Sequence, residues 1–234
     1  LICAGVGGAP CAEVILKTWQ DRGVALFQGW GMTETAPGAI CLPASEALRK
    51  LGSSGKPVMH NEIRVVDSQF RDVTPGDVGE LLVRGPNVTP GYWNNPEATA
   101  ETILEGGWLR TGDAARCDEE GFYYIVDRIK DMYISGGENV YPAEVETVLM
   151  SLPGVADVAV IGVPDPRWGE TGKAVVVPAP GAALEEAELI AHCLRHLAKY
   201  KVPKSVAFVE DMPRNASGKV LKADLRAAHA APPA

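Results

Sequence analysis

The strongest constraint on this chain is a change of texture along its length. A β-α-β opening gives way to short strands punctuated by turns, and then to a mixed α+β run. Residues 1–5 are apolar and of strand length, followed by the loop Val6-Gly7-Gly8-Ala9-Pro10. Over residues 11–22 the spacing of Val14, Ile15, Thr18 and Trp19 predicts a helix, which Gly23 closes. Residues 24–27 form a second short apolar run, so the opening reads as part of a layered α/β unit. From residue 62 the predicted strands are 63–66, 80–83 and 122–126, with turns at Pro75-Gly76 and 118–121. Asn95 as N-cap and Pro96 as first helical residue predict a helix to about Leu104. Beyond Asp127 the pattern predicts a helix over 142–152, strands over 155–163 and 174–177, a helix over 185–197 and a strand over 205–209. That last stretch is an α+β unit of ordinary domain size. The Ala/Pro-rich end, 227–234, reads as frayed.

Composition narrows the function classes. At 234 residues and 46% hydrophobic, the chain has room for one large or two small domains with a real core. A net charge of −8 argues against nucleic acid as the main partner, because phosphate binding needs a basic face. No run of 18 apolar residues is present to span a membrane. Cys3, Cys11, Cys41, Cys117 and Cys193 are odd in number and scattered, without C-x-x-C spacing. A disulfide framework or zinc site is therefore not expected, and a reducing cytoplasm is the simpler setting. Leu1-Ile2-Cys3-Ala4 reads as the middle of a buried strand, so the chain is expected to be a fragment of a longer protein.

Four polar clusters lie between these textures. In Gln28-Gly29-Trp30-Gly31-Met32-Thr33-Glu34-Thr35 the ring of Trp30 can stack on a base, Thr33 can bond a phosphate oxygen and Glu34 can hold Mg2+. An ordinary strand-to-helix loop with a capping Thr is the plain alternative. In residues 107–113, Asp113 follows a tight glycine turn and can accept both hydroxyls of a ribose or simply cap that turn. The third is Asp127-Arg128-Ile129-Lys130-Asp131 with Ser135-Gly136-Gly137-Glu138-Asn139, which also suits a solvated linker. The fourth is residues 213–219, where Lys219 is either a mobile phosphate contact or a solvated surface lysine. Gly55-Lys56, Gly172-Lys173 and Gly218-Lys219 lack the Ser/Thr of a Walker loop, and Pro10 spoils a dinucleotide fingerprint.

In this order, the four clusters resemble the adenylate-forming superfamily of acyl- and aryl-CoA synthetases, peptide-synthetase adenylation domains and beetle luciferases. The likeness runs from Gly7-Gly8-Ala9-Pro10 through Lys219. Residues 127–131 with 134–142 look most like bacterial fatty-acyl-CoA synthetases. The resemblance implies an α/β plus α+β fold. Residues 1–129 would be the end of a large AMP-binding domain (an α/β layer, 1–58, and a β-rich, barrel-like subdomain, 59–129). Residues 130–226 would be a small mobile domain, and 227–234 a tail.

It also implies roles. Gly8, Ala9 and Pro10 would lie along the adenine, and Trp30 replaces the usual aromatic, most often Tyr, that stacks on it or borders the acyl pocket. Thr33 would contact the α-phosphate, Glu34 hold Mg2+, and Asp113 with Arg128 hold the ribose hydroxyls. Lys130 would be the hinge, Gly136 and Gly137 would border the pantetheine tunnel, and Lys219 would be the catalytic lysine of adenylation. ATP, Mg2+, coenzyme A and a carboxylic acid, with fatty acids favoured, are the implied cofactors and substrates. The family's Gly/Ser/Thr-rich phosphate loop has no counterpart here, so the missing N-terminal part would be a partner, and the fragment alone is expected to be inactive with an exposed sheet edge. A non-catalytic nucleotide- or partner-binding remnant, and an adenylation enzyme loading a carrier-protein thiol, are the competing readings. Elsewhere, His192 and His196 read as helix-surface residues, and the cysteines as small buried hydrophobes. Residues 185–188 read as an acidic helix start. Trp168 reads as either local packing or part of a loop near the CoA nucleotide.

Overall fold

The computed structural model describes residues 3–8, 13–216 and 218–229. Ala9, Pro10 and Cys11 lie outside them. Contacts divide the chain into two compact units, Leu1–Ile129 and Lys130–Ala234.

The first unit opens with β1 (Cys3–Val6), α1 (Glu13–Gln20) and β2 (Ala25–Gly31), and β1 pairs in parallel with β2 as a β-α-β unit requires. In α1 Leu16 is buried, whereas the apolar residues Ile15 and Trp19 face solvent. β2 is longer than the predicted apolar run and continues through Trp30 to Gly31. It then turns through a 3-10 segment, Thr33–Thr35, into the antiparallel β3 (Gly38–Cys41). Half of the stretch 28–35, read as a loop, is thus strand. Gly29 and Gly31 read as loop residues, yet Gly31 is small for packing: a Cβ there would collide with the Pro37 carbonyl across the turn. β4 (Lys56–Pro57) completes the sheet order β1-β2-β3-β4.

The second sheet holds β5 (Glu62–Val66), β6 (Gly79–Arg84), β7 (Ile103–Leu104), β8 (Trp108–Cys117) and β9 (Tyr123–Arg128). Its order is β5-β6-β8-β7, with β9 on β8. Ala39 and Ile40 of the first sheet pack with Val65, Leu81, Val83 and Ala115 of the second, so the sheets share one core. Between β6 and β7, α2 (Pro96–Thr102) starts as its cap signature predicts: Asn95 accepts a bond from the Ala98 amide and Pro96 sits in the first turn. The helix ends two residues earlier than expected, because Ile103 and Leu104 pair with β8 instead. At the 118–121 turn, burial pushes the Asp118 carboxyl up. The Lys50 ammonium at 2.6 Å and the Phe122 and Glu120 amides outweigh that and hold it at about 2.

The second unit is built on β10 (Tyr133–Ser135), β11 (Glu138–Val140), β12 (Val155–Asp165), β13 (Gly169–Pro178) and β14 (Ser205–Phe208), in the order β11-β10-β13-β12 with β14 on β13. The helices are α3 (Pro142–Met150), α4 (Glu186–His196) and α5 (Lys222–His229). Val145, Leu149, Val160, Val176, Leu189 and Cys193 close one face of this sheet, while Leu225 of α5 packs with Ile161 and Val175 in a separate cluster. Ala227 to His229 therefore belong to a helix rather than a frayed tail, tied in by Leu225 and by Arg226, which bonds Asp131 at 2.7 Å.

His192 corrects the surface expectation: it is buried, with Nε2 3.0 Å from Ser151 Oγ and 3.1 Å from the Val148 carbonyl, while His196 is exposed. Cys193 is buried and its thiol is pushed up to about 11 by that burial, but Cys41 is exposed, against expectation. The helix start behaves as read, with Glu186 and Glu188 in the first turn; Glu186 also accepts the Val206 amide. No helix among the described residues is long and apolar enough to cross a membrane.

Tyr133 is the largest fully buried side chain, and its hydroxyl has no hydrogen-bond partner among the described residues. Gly172 leaves room for it, since a Cβ there would overlap the hydroxyl and lie 3.1 Å from Cζ. Gly172→Ala is expected to destabilise this unit by about 1–3 kcal/mol, and clearly less in a Tyr133→Phe background that is itself no less stable than the parent. Hydrogen–deuterium exchange of the Gly169–Pro178 strand measures both, and an undiminished Gly172→Ala cost in that background would contradict this packing account.

Candidate active site

In the first unit three of the sequence-predicted residues meet. β8 carries a bulge opposite β6, with Gly112 at φ +69, a conformation that disfavours any side chain. Asp113 therefore lies inside a strand, not after a turn, and its register partner on β9 is Arg128. The carboxylate is nearly buried at 5% exposure. Its Oδ2 accepts the indole N–H of Trp30 at 2.8 Å, and its Oδ1 lies 2.8 Å from Arg128 Nε. The second contact is an ion pair. A carboxylate this buried needs such partners. Trp30 is half-buried and packs on the core between the sheets.

Glu34 sits in the Thr33–Thr35 turn, half-buried, with Thr33 exposed beside it. The Tyr92 hydroxyl donates to Glu34 Oε1 at 2.8 Å and the Thr89 amide to the Glu34 carbonyl at 2.9 Å. Burial and then the Glu34 carboxylate raise the Tyr92 phenol above its ordinary range, so it stays a donor. Thr35 is fully buried, and its hydroxyl ties Met32 to Pro37 and shapes the turn. Tyr92 and Asn87 had no periodic signal to mark them; only their side-chain contacts, more than fifty residues away in sequence, reveal them. Gly8 is exposed with φ +85, where a Cβ would meet nothing.

The donor chemistry fits the groups expected here. Glu34 offers a hard carboxylate, which suits Mg2+, an ion commonly held by one or two carboxylates with phosphates and water. The Asp113 carboxylate is an acceptor of the kind that a ribose hydroxyl bonds.

The second unit carries the rest. Lys130 is exposed in the 3-10 segment Ile129–Asp131, at the division between the units. Gly136 and Gly137 are exposed at φ +62 and +90. A Cβ on Gly136 would come within 2.6 Å of the Trp168 ring, and the Gly136 amide bonds the Trp168 carbonyl. Trp168 is thus packed locally on the glycine pair while remaining 39% exposed. Lys219 is exposed on a loop closed by Asn215, whose side chain accepts the Lys219 amide, and braced by the Arg214–Asp157 ion pair.

Comparison with known proteins decides the lineage. Residues 1–93 match the model of the AMP-binding enzyme family, and residues 144–219 that of the AMP-binding enzyme C-terminal domain. The chain belongs to the adenylate-forming, AMP-binding enzyme family. A feruloyl-CoA synthase of an Amycolatopsis species is 51% identical over 226 residues, covering 97% of this chain and 45% of that one. Among solved AMP-binding enzymes, o-succinylbenzoate CoA synthetase from Bacillus subtilis with the acyl-adenylate intermediate OSB-AMP superposes at a TM-score of 0.90 and 41% identity. It covers 96% of this chain and 46% of that one. The same enzyme with ATP and magnesium ion gives 0.88 and 40%, over 96% and 46%. The chain spans about half the length of the relatives it matches. The acids in these names carry an aromatic ring, so the expected leaning toward fatty acids finds no support in them.

If Asp113 joins Trp30 and Arg128 as described, Asp113→Ala and Trp30→Phe are each expected to lower stability by about 1–3 kcal/mol. Their double variant should fall short of additivity by 0.5 kcal/mol or more in urea denaturation. Strict additivity would mean that the indole bond contributes nothing.

Proposed function

We propose that this chain is the nucleotide-handling half of an AMP-forming acid–CoA ligase: ATP and a carboxylic acid give an acyl-adenylate and pyrophosphate, and coenzyme A then displaces AMP. The observation that carries this reading is the buried Asp113 held between Trp30 and Arg128, in a chain of this family. In it, Asp113 and Arg128 take the ribose, Trp30 borders the adenine, Thr33 meets the α-phosphate, and Gly8, Ala9 and Pro10 lie along the base. Glu34 holds Mg2+, which supplies positive charge to neutralise the phosphates when bound. Residues 130–226 form a mobile domain turning about Lys130, and bring either Lys219 or the Gly136-Gly137 segment to the reacting atoms. Lys219 places its charge where two anions approach, which is electrostatic stabilisation rather than covalent catalysis.

The substrate class we favour is an acid bearing an aromatic ring, supported by the named relatives. Further chain upstream, carrying a phosphate loop and most of the acid pocket, completes the enzyme. The solvent-facing Ile15 and Trp19 of α1, and β1 at the end of its sheet, offer such a portion a surface.

In the complete protein, Lys219→Ala is expected to slow acyl-adenylate formation by on the order of 10²–10³. Thioester formation from supplied acyl-adenylate should keep its rate. Separate single-turnover assays of the two half-reactions measure this, and equal loss in both would refute the division of labour.

A further inference from the structure

The Glu34 turn is gripped by a segment that follows β6. Asn87 Nδ2 donates to the Thr35 and Gly38 carbonyls at 2.7 and 3.0 Å, the Thr89 amide to the Glu34 carbonyl at 2.9 Å, and the Tyr92 hydroxyl to Glu34 Oε1 at 2.8 Å. Glu34 is thereby held twice, once by its backbone and once by its carboxylate.

The gripping segment is itself anchored. The Tyr92 amide donates to Thr99 Oγ1 at 2.9 Å, and that hydroxyl donates to the Asn95 carbonyl at 2.8 Å, at the start of α2. Gly91 has φ +152, and a Cβ there would stand 2.7 Å from Thr99 Cγ2. Backbone conformation and close approach both require glycine, and the glycine lets the chain press against α2 where Tyr92 reaches Glu34. A helix cap, a threonine, a phenol and a carboxylate thus form one connected line.

A glutamate left alone turns about its last torsion, which is broad and roughly two-fold. A hydrogen bond to one oxygen fixes the carboxylate plane and leaves the other oxygen for a cation. Partners of this kind commonly set both orientation and affinity at metal sites. We infer that Tyr92 is a positioning residue for the divalent cation: by pinning Oε1 of Glu34 it presents Oε2 to the metal that accompanies ATP. This inference rests on Glu34 being the metal ligand.

The test is Mn2+ binding, followed by electron paramagnetic resonance in the complete protein with ATP, for Tyr92→Phe, Glu34→Gln and both together. Tyr92→Phe is expected to weaken Mn2+ by about 10–100-fold, Glu34→Gln by at least as much, and the double variant no further than Glu34→Gln. Unchanged Mn2+ affinity in Tyr92→Phe, with a loss in Glu34→Gln, would overturn the positioning role and leave the ligand standing. Unchanged affinity in both would overturn the ligand and the inference with it. If Tyr92→Phe does not fold, Thr99→Val removes the anchor and keeps the phenol. A loss of about threefold or more supports the inference, and none overturns it.

Discussion

The first unit depends on the need to satisfy one buried carboxylate. Asp113 is 5% exposed, in a site where an unpaired charge would be costly. Its partners come from two different sheets: Trp30 from β2, Arg128 from β9. Asp113 pairs in register with Arg128 on β9, and the length of β2 carries Trp30 to it. One side chain thus links the packing of the two sheets to the proposed ribose contact. Substitutions at Asp113 consequently mix stability with binding, and Glu34, held by a separate segment, is the cleaner probe of chemistry.

Much of the fold was legible where side-chain periodicity is strong. The apolar run from Val155 to Val163 is a real strand, and Asn95-Pro96 a real helix start. Glycine was the main source of error. Gly29, Gly31 and Gly112 read as turn residues, yet they lie in strands: Gly31 answers a close approach and Gly112 a bulge rather than a change of direction. His192 departs from the surface expectation although its spacing carries the signal: with Leu189, Cys193 and His196 it makes a helical stripe, and three of those four are buried.

The site was legible only in part, for a different reason. Motif residues such as Glu34 and Asp113 stand out by type and order. Tyr92, Thr89 and Asn87 act through bonds to residues far off in sequence, and no local pattern announces such contacts. The leaning toward fatty acids came from the segment around 127–142. Residues there are proposed to serve the ribose, the hinge and the pantetheine, and none of those tasks depends on the acid.

The central claim is ligase chemistry on an acid of aromatic type. Its most direct test is acid-dependent AMP formation by the complete protein with ATP, Mg2+ and coenzyme A, across a panel from acetate to palmitate together with ferulate, benzoate and o-succinylbenzoate. The expected result is AMP formed with one or more of the ring-bearing acids and not with palmitate. AMP formed best with long-chain acids would contradict the substrate class, and none with any acid, from a folded protein, would contradict the ligase assignment itself.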